Sequence, residues 1–507
     1  MHAAVPGRVD LHRSPAMAPC GESRGRCCWC CLVCPALLAW SIRWMLHEGL
    51  RGTWFYGIMM SYNPPDQPIL GRYNFSAAGV ARAVAAATPG GELWPSGRGR
   101  VGRYSWSEHA GPGELSAATL AWSWSHPGGR FHTLPFGTAL DSKLNVYLSA
   151  ADGYRKFSPE GTLLWEHLVL PAESMNAPFL MDGMVFGSHT LGVHFALSAE
   201  TGEVLWSTRV SKTIASDNGF ASGHDGVLVV CGESEGLESN KVVYGINSTS
   251  GLELWRFEPD APLWNFMASF AGDGTCTFQD LEGRAYRLRH DDGALLWKVG
   301  GQKKSWTDGT ATLGANGVVY AVNTHCLMYD CKADSIGELS AYRLSDGELL
   351  WRATTSAPTN NAPAVGMLHG LSKLSVVQPI GMQVFQGAPM SVIAYDAETG
   401  RVQWTYDGPR QRGKLQRADA EGMWERAMSG VRPLCLPNGW SAPAIDAAGT
   451  VYLGNQDGLF LALRDVDGNG IVAGPEEVSS YDTGACFSGS AGPSVGPGLV
   501  AVASCDS

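Results

Sequence analysis

The chain has 507 residues, of which 45% are hydrophobic and 17% are charged, and its formal net charge is −11. Its repeat region has no cluster of lysine and arginine, so the composition argues against a nucleic-acid partner, which requires a basic stripe. The 63 glycines and 18 tryptophans indicate many tight turns and large apolar plates. A repeat fold that distributes its core between units accommodates such a chain as one long domain.

Residues 1–115 do not share the repeat and are predicted to be an N-terminal extension that ends in a linker. Within it, residues 27–46 follow several arginines and include an apolar stretch of signal-peptide or signal-anchor size. The sequence therefore predicts a secretory or membrane-anchored protein that reaches the membrane through residues 27–46. The alternatives are an extension without a targeting role on a cytoplasmic protein, or an artefact of the gene model.

A repeated unit dominates the next part of the chain, within the predicted domain of residues 116–507. Each copy has a short apolar run, a polar turn that ends in glycine, and a tryptophan four residues after that glycine, as in Ala196–Trp206. The alternation of apolar residues and the left-handed turn residue are typical of a β-hairpin. We predict that the repeated tryptophans pack between neighbouring sheets as large apolar plates. They are Trp165, Trp206, Trp255, Trp297, Trp351 and Trp404.

The spacing of these tryptophans, roughly forty to fifty-five residues, fits four short strands per unit. This is the size of a β-propeller blade. The fold class predicted is therefore all-β, a β-propeller that is expected to be monomeric.

The Asp/Ser-x-x-Thr-Gly-x-x-x-Trp pattern resembles the PQQ-like repeat of the quinoprotein-type β-propeller superfamily. That superfamily contains quinone-dependent dehydrogenases and non-catalytic members such as the bacterial outer-membrane assembly lipoprotein. The resemblance implies the fold and leaves the activity open. In its dehydrogenases, Glu, Asn and Asp hold an active-site calcium, another Asp is catalytic, and adjacent cysteines commonly form a disulfide.

These catalytic features have no counterpart in the blades of this chain. Its adjacent cysteine pairs, Cys27-Cys28 and Cys30-Cys31, lie in the N-terminal extension, and no catalytic residue carries over by position. Pyrroloquinoline quinone (PQQ) is therefore not expected as a cofactor.

The number of blades is predicted to be eight, with seven as the alternative. Six blades end at the repeat tryptophans, a seventh begins near Ser441, and an eighth begins near Gly489 and lacks its outer strands. The segment Leu120–Gly128 resembles an outermost strand with no blade before it. We expect it to complete the eighth blade and so close the ring without exposed sheet edges.

A candidate calcium loop spans Asp465–Glu476. It matches the twelve-residue calcium-loop pattern, with oxygen ligands at alternate positions, glycine at position six and a carboxylate at position twelve. The tentative ligands are Asp465, Asp467, Asn469, Ile471 (through its backbone carbonyl) and Glu476. The alternative is a polar hairpin turn without a metal.

A second candidate site is one mouth of the central channel, where the innermost strands begin. Amide, carboxylate and aromatic side chains that converge there could hold a protein partner or a small polar ligand, whereas the alternative is that they cap the first turn of each strand. These residues are Asn176, Asp217, Asn265, Asp308, Asn361, Ser441, Trp264, Trp306 and Trp440.

The function predicted from sequence is a non-catalytic propeller that binds a protein or a small polar ligand. The alternative is a calcium- and PQQ-dependent dehydrogenase that oxidises an alcohol or a sugar.

Overall fold

The computed structural model describes most of the chain from residue 73 onwards, within a compact unit that spans Gly57–Ser507. The residues described are 73–87, 91–100, 103–128, 137–170, 172, 174, 176–189, 191–211, 221–233, 240–307, 310–327, 331–332, 334–359, 361–381, 390–410, 439–487 and 492–504. The predicted signal or anchor segment, residues 27–46, lies outside them. Within the described part of the chain, no helix has the length and apolar character needed to cross a membrane.

The N-terminal elements are short and precede the repeated sheets. They are β1 (Asn74–Phe75), α1 (Ala77–Ala86), β2 (Gly99–Arg100) and β3 (Arg103–Tyr104).

Seven antiparallel sheets follow, each containing four strands that are consecutive in the chain, and the second sheet also takes β1 at its outer edge. Blade 1 has β4 (Thr138–Leu140), β5 (Val146–Ala150), β6 (Gly153–Phe157) and β7 (Leu163–Leu168). Blade 2 has β8 (Phe179–Met181), β9 (Met184–His189), β10 (Val193–Ser198) and β11 (Val204–Arg209). Blade 3 has β12 (Ser222–His224), β13 (Val227–Gly232), β14 (Val242–Asn247) and β15 (Glu253–Phe257). Blade 4 has β16 (Ser269–Phe270), β17 (Thr275–Gln279), β18 (Arg284–Arg289) and β19 (Leu295–Gly300).

The remaining blades have the same order of strands. Blade 5 has β20 (Thr312–Leu313), β21 (Val318–Thr324), β22 (Gly337–Arg343) and β23 (Leu349–Thr355). Blade 6 has β24 (Ala364–Met367), β25 (Leu374–Ile380), β26 (Ser391–Asp396) and β27 (Val402–Asp407). Blade 7 has β28 (Ala444–Ile445), β29 (Val451–Gly454), β30 (Leu459–Leu463) and β31 (Val478–Asp482). A two-stranded sheet, β32 (Ser494–Gly496) and β33 (Leu499–Ala501), ends the described chain.

From blade 3 to blade 7 the first strands of successive sheets are in contact, and β32 of the two-stranded sheet contacts both β28 of blade 7 and β4 of blade 1. The all-β propeller is therefore confirmed. The expectation of eight complete blades is wrong, because the described residues form seven blades of four consecutive strands and a last sheet, β32–β33, of only two strands. The predicted closing strand is not seen either, since Leu120–Gly128 contains no strand.

The repeat tryptophans lie between blades and make the same contact in five cases. Their indole nitrogens donate to a backbone carbonyl in the hairpin turn of the next blade, and their rings lie against the glycine of that turn. The five bonds run from Trp165 to Ala199 (3.2 Å), Trp206 to Ser248 (2.8 Å), Trp255 to His290 (2.8 Å), Trp297 to Leu344 (2.8 Å) and Trp351 to Ala397 (3.0 Å). The sixth, Trp404, is buried in the core that blades 6 and 7 share.

The turn glycine is required by both shape and backbone. Gly202 has a φ of 74°, a left-handed value that glycine adopts without strain. A Cβ at this position would approach the Trp165 ring to 2.8 Å. The same residue that allows the hairpin therefore leaves room for the tryptophan of the preceding blade.

Candidate functional site

Residues 94–100 and 103–107 fill part of the space at the centre of the ring. Each innermost strand pairs within its own sheet along one edge only. The segment forms backbone hydrogen bonds with the opposite edge of several of these strands. Trp94 exchanges two backbone hydrogen bonds with Leu140 of β4, at 2.8 and 3.0 Å, and the Leu180 amide of β8 donates to Pro95 at 2.8 Å. Residues 94–99 are all buried.

The same segment reaches the opposite part of the ring. The Ile445 amide of β28 donates to the Ser105 carbonyl, and the Ser107 amide donates to the Ile445 carbonyl, both at 2.8 Å. Strand β3 also contacts β20 and β24, and the Trp106 ring lies so close to Gly366 that a Cβ there would approach it to 2.6 Å. The chain's own N-terminal segment thus bridges blades across the channel.

The sequence did not reveal this channel segment, which was assigned to the N-terminal extension. The segment carries no copy of the repeat, and its partners are tens to hundreds of residues away in the chain. Buried Trp94 and the neighbouring Gly97 and Gly99 were the available signals, because a tryptophan amid glycines suits close backbone packing.

Most of the predicted channel-mouth residues are buried and bonded to other parts of the chain. Asn361 Nδ2 donates to the Trp440 carbonyl at 2.8 Å, and Trp440 Nε1 donates to the Ile380 carbonyl at 3.1 Å. Asn176 Nδ2 donates to Ser188 Oγ, and Ser441 Oγ accepts from the Gly454 amide at 2.9 Å. These contacts join neighbouring strands and blades.

The other mouth residues are less uniform. The rings of Trp264 and Trp306 meet edge to face, with centroids 6.4 Å apart, and Trp306 packs beside the Cys326–Cys331 disulfide. Asn265 is buried with a φ of 44°. Asp217 and Asp308 lie outside the described residues, and ligand binding at this mouth remains a prediction.

The candidate calcium loop brings three carboxylates together. One oxygen each of Asp465, Asp467 and Glu477 lie within 4.8 Å of one another. Asp465 accepts from the amides of Gly468 (3.0 Å) and Gly470 (3.3 Å). Such an oxygen-rich arrangement fits a hard cation such as calcium.

The glutamate in this cluster is Glu477, one residue after the predicted ligand Glu476, which is exposed. Glu477 accepts from the amides of Val466 (2.8 Å) and Ala473 (2.9 Å). Backbone hydrogen bonds lower the pKa of Glu477, and the bond from the Ala473 amide has the largest effect. The Glu477 carboxylate therefore connects the two ends of the loop as an anion.

The remaining predicted ligands are placed differently. Asn469 is exposed and hydrogen-bonds to Asp467 at 2.7 Å, so its amide lies beside the cluster. Ile471 forms a bridge to Thr405 of blade 6, and the Thr405 amide donates to Gly470 at 3.0 Å. The loop thus also connects blade 7 to the outer strand of blade 6.

A buried charged cluster that the sequence did not indicate ties residues 120–128 to blade 1. Arg155 donates to both oxygens of Asp152 at 2.8 Å, and His126 Nε2 lies 2.9 Å from Asp152 Oδ2. Burial opposes ionisation of Asp152, but the hydrogen bonds from Arg155 and His126 outweigh it and lower the Asp152 pKa to about 2. The cluster anchors this segment.

Comparison with known proteins gives one family and a consistent fold. The PQQ_2 family model, described as outer membrane protein assembly factor BamB, matches residues 154–323 and 281–472, which together cover more than half of the chain. The outer membrane protein assembly factor BamB of Yersinia pestis is 23% identical over 318 residues, 57% of this chain and 77% of its own length.

Two solved structures are similar at lower identity. The BamB structure from Moraxella catarrhalis is 16% identical, with 73% of this chain and 94% of that chain covered and a TM-score of 0.46. The quinohemoprotein alcohol dehydrogenase from Comamonas testosteroni is 12% identical, with 84% and 78% covered and a TM-score of 0.52. The latter shows a shared propeller fold and no more.

Proposed function

Because the chain belongs to the PQQ_2 family described as outer membrane protein assembly factor BamB, we propose that it is a non-catalytic propeller that binds other proteins. Its task on this proposal is that of a scaffold in the assembly of outer-membrane proteins. The observation that carries the proposal is the difference in exposure of one leucine that recurs on the outer strands.

This leucine immediately precedes the repeat tryptophan. In blade 2 it is Leu205, which is 3% exposed, whereas Leu254 in blade 3 is 48% exposed and Leu296 in blade 4 is 47% exposed. Leu164 and Leu350 are exposed in the same way on blades 1 and 5. Repeated exposed aliphatic side chains on neighbouring sheets are a surface on which a partner can bury apolar area.

Blade 2 shows how the exposed side of an outer strand, here called the rim of the blade, is covered. Strand β1 pairs antiparallel with the outer strand β11, with Phe75 opposite Trp206, and the Ser76 amide donates to the Leu205 carbonyl at 2.7 Å. Helix α1 then packs Val80 and Ala83 into the core that contains Leu205. A strand followed by a helix therefore covers the rim in this chain, and we propose that partner segments cover other rims.

The channel segment supports a binding role over an enzymatic one. Residues 94–100 and 103–107 occupy space between the innermost strands, where a propeller would otherwise offer an enclosed site. The proposal therefore assigns binding to the outer surface.

The proposed location is outside the cytoplasm. Cys326 and Cys331 form a disulfide, and structural disulfides persist mainly in oxidising compartments such as the periplasm. The predicted targeting segment at residues 27–46 agrees with this location.

The test is site-specific photocrosslinking of the full chain in its native cells, with benzoyl-phenylalanine at position 254 or 296. We expect both positions to yield the same discrete adduct with an outer-membrane assembly component or its client, identified by mass spectrometry. The matched control is position 205, which is covered by α1 and is expected to crosslink only within the chain. The proposal would be contradicted if positions 254 and 296 gave no adduct beyond that control.

A further inference from the structure

The eighth position of the ring is half built. Strand β32 lies between β28 and β4, and Thr138 Oγ1 of β4 bonds to Ser494 Oγ at 2.8 Å. Strand β33 pairs antiparallel with β32, with Ser494 opposite Ala501. Among the described residues β33 pairs with no other strand, whereas the second strand of every complete blade is paired on both sides.

The chain also supplies an outer contact at this position. Trp122 Nε1 donates to the Pro159 carbonyl at 2.9 Å, and its ring lies against Gly161. This matches the contact that Trp165 makes with the turn of blade 2. Trp122 therefore takes the place of a fourth-strand tryptophan, although its segment is not a strand.

A cavity of about 580 Å³ separates β33 from the Trp122 segment. Val146 and Leu148 of blade 1 line one wall, and Phe460 and Tyr481 of blade 7 line another. Its volume is in the range of roughly 300–1,000 Å³ typical of ligand sites. With a second strand on its inner side and a fourth-strand tryptophan on its outer side, the cavity corresponds to the third strand of the blade.

The lining of this cavity is uncharged. None of the described residues that line it carries a charged side chain, and serine, threonine and tyrosine hydroxyls lie among its aliphatic and aromatic side chains. The third strands of the complete blades show what fits such a space: β14, for example, is buried on both faces over Val242–Ile246. A charged occupant would lose its hydration without an ionic partner in this lining.

We propose that the cavity binds one extended segment of a partner protein, about five or six residues with apolar side chains on both faces. The segment pairs with the free edge of β33 and completes the eighth blade. An unpaired sheet edge is a template for such strand addition, in which backbone hydrogen bonds give affinity and flanking pockets select side chains. This rests on the proposed function and names the kind of polypeptide that the scaffold binds.

The probe is a fluorescent peptide with the sequence of β14, Val242–Asn247, flanked by Gly-Ser, and its anisotropy is measured with the full chain. We expect saturable one-to-one binding and slower hydrogen exchange of the amides at 499–503. The same peptide with proline in place of its tyrosine is expected not to bind, because proline has no backbone N–H to donate.

Two protein variants locate the site. Val502→Asp places a charge in the cavity lining and is expected to weaken binding at least tenfold. Val402→Asp, the same change at an exposed position on the outer strand of blade 6, is expected to leave affinity unchanged. Absence of saturable binding, equal affinity for Val502→Asp, or protection outside 499–503 would overturn the proposal.

These outcomes are separate from those of the crosslinking experiment. Adducts at positions 254 and 296 without peptide binding would remove the strand-addition site and leave the scaffold. Cavity filling by an undescribed part of the chain itself would appear as protection of 499–503 before peptide is added, with no binding, and would also overturn the proposal.

Discussion

The complete blades and the eighth position make the same contact by different means. In blade 1, Trp165 lies on the fourth strand of a sheet and docks on the turn of blade 2. At the eighth position, Trp122 docks on the turn of blade 1 from a segment without strand structure. The interblade contact therefore forms without a complete sheet. It needs a tryptophan, a turn with a glycine, and a contact that holds the tryptophan segment in place, such as the Asp152 cluster at the eighth position.

The largest expected effect is on the contact made by a complete blade. Trp206 is fully buried, so Trp206→Ala removes a large aromatic side chain and leaves a cavity. We expect a loss of about 3–5 kcal/mol in the free energy of unfolding, measured by urea denaturation. A loss below about 1 kcal/mol would place Trp206 outside an interblade core.

A pH titration distinguishes blade 2 from the anchor at the eighth position, because different groups titrate in these two regions. Burial lowers the pKa of His189 and of His194 in blade 2 to about 4. The folded state therefore prefers neutral histidine. The contribution of each histidine to the free energy of unfolding is fully present above about pH 6.5 and is lost as the pH falls towards 4. Each histidine contributes on the order of 3 kcal/mol in this window.

The anchor at the eighth position responds at lower pH. Asp152 has a pKa lowered to about 2, so its contribution is present above about pH 4 and lost as the pH falls towards 2. Hydrogen exchange is expected to show blade 2 opening between pH 6.5 and 4 while residues 120–128 stay protected. His194→Gln is the control that reduces the first effect, and simultaneous opening of both regions would contradict the assignment.

The effect of Trp122→Ala is expected to be smaller than that of Trp206→Ala. Trp122 is only partly buried and its segment has no strand pairing, so we expect a loss of about 1–2 kcal/mol in urea denaturation. Ser123→Ala is the matched control, since Ser123 is exposed. A loss as large as that of Trp206→Ala would mean that the eighth position is as well packed as a complete blade.

The smallest expected effect concerns the candidate calcium loop between blades 6 and 7. We propose that calcium raises the thermal midpoint by a few degrees, about what 1 kcal/mol gives, through Asp465, Asp467 and Glu477. The Asp465→Ala/Asp467→Ala variant and Glu477→Gln are expected to lose this shift, whereas Glu476→Gln retains it. A shift that survives Glu477→Gln and disappears with Glu476→Gln would restore the ligand set predicted from spacing.

The sequence predicted the blades well because each repeat combines a turn glycine and a tryptophan whose partners lie in the next repeat. It did not predict the channel segment, whose bonds to Leu140 and Ile445 link residues distant in the chain. The spacing of the calcium-loop pattern favoured Glu476 as the last carboxylate ligand. Only the folded loop shows that the Glu477 side chain is the one that points towards Asp465 and Asp467. The segment Leu120–Gly128 was predicted to be an outermost strand, but a strand there requires a third strand beside it, which the described chain lacks.

We propose that this propeller binds proteins and performs no quinone chemistry. Calorimetric titration of the full chain with calcium and then with pyrroloquinoline quinone distinguishes this proposal from the dehydrogenase alternative. No saturable quinone binding is expected, with or without calcium. Stoichiometric, calcium-dependent quinone binding, accompanied by dye-linked dehydrogenase activity on an alcohol or sugar, would contradict it.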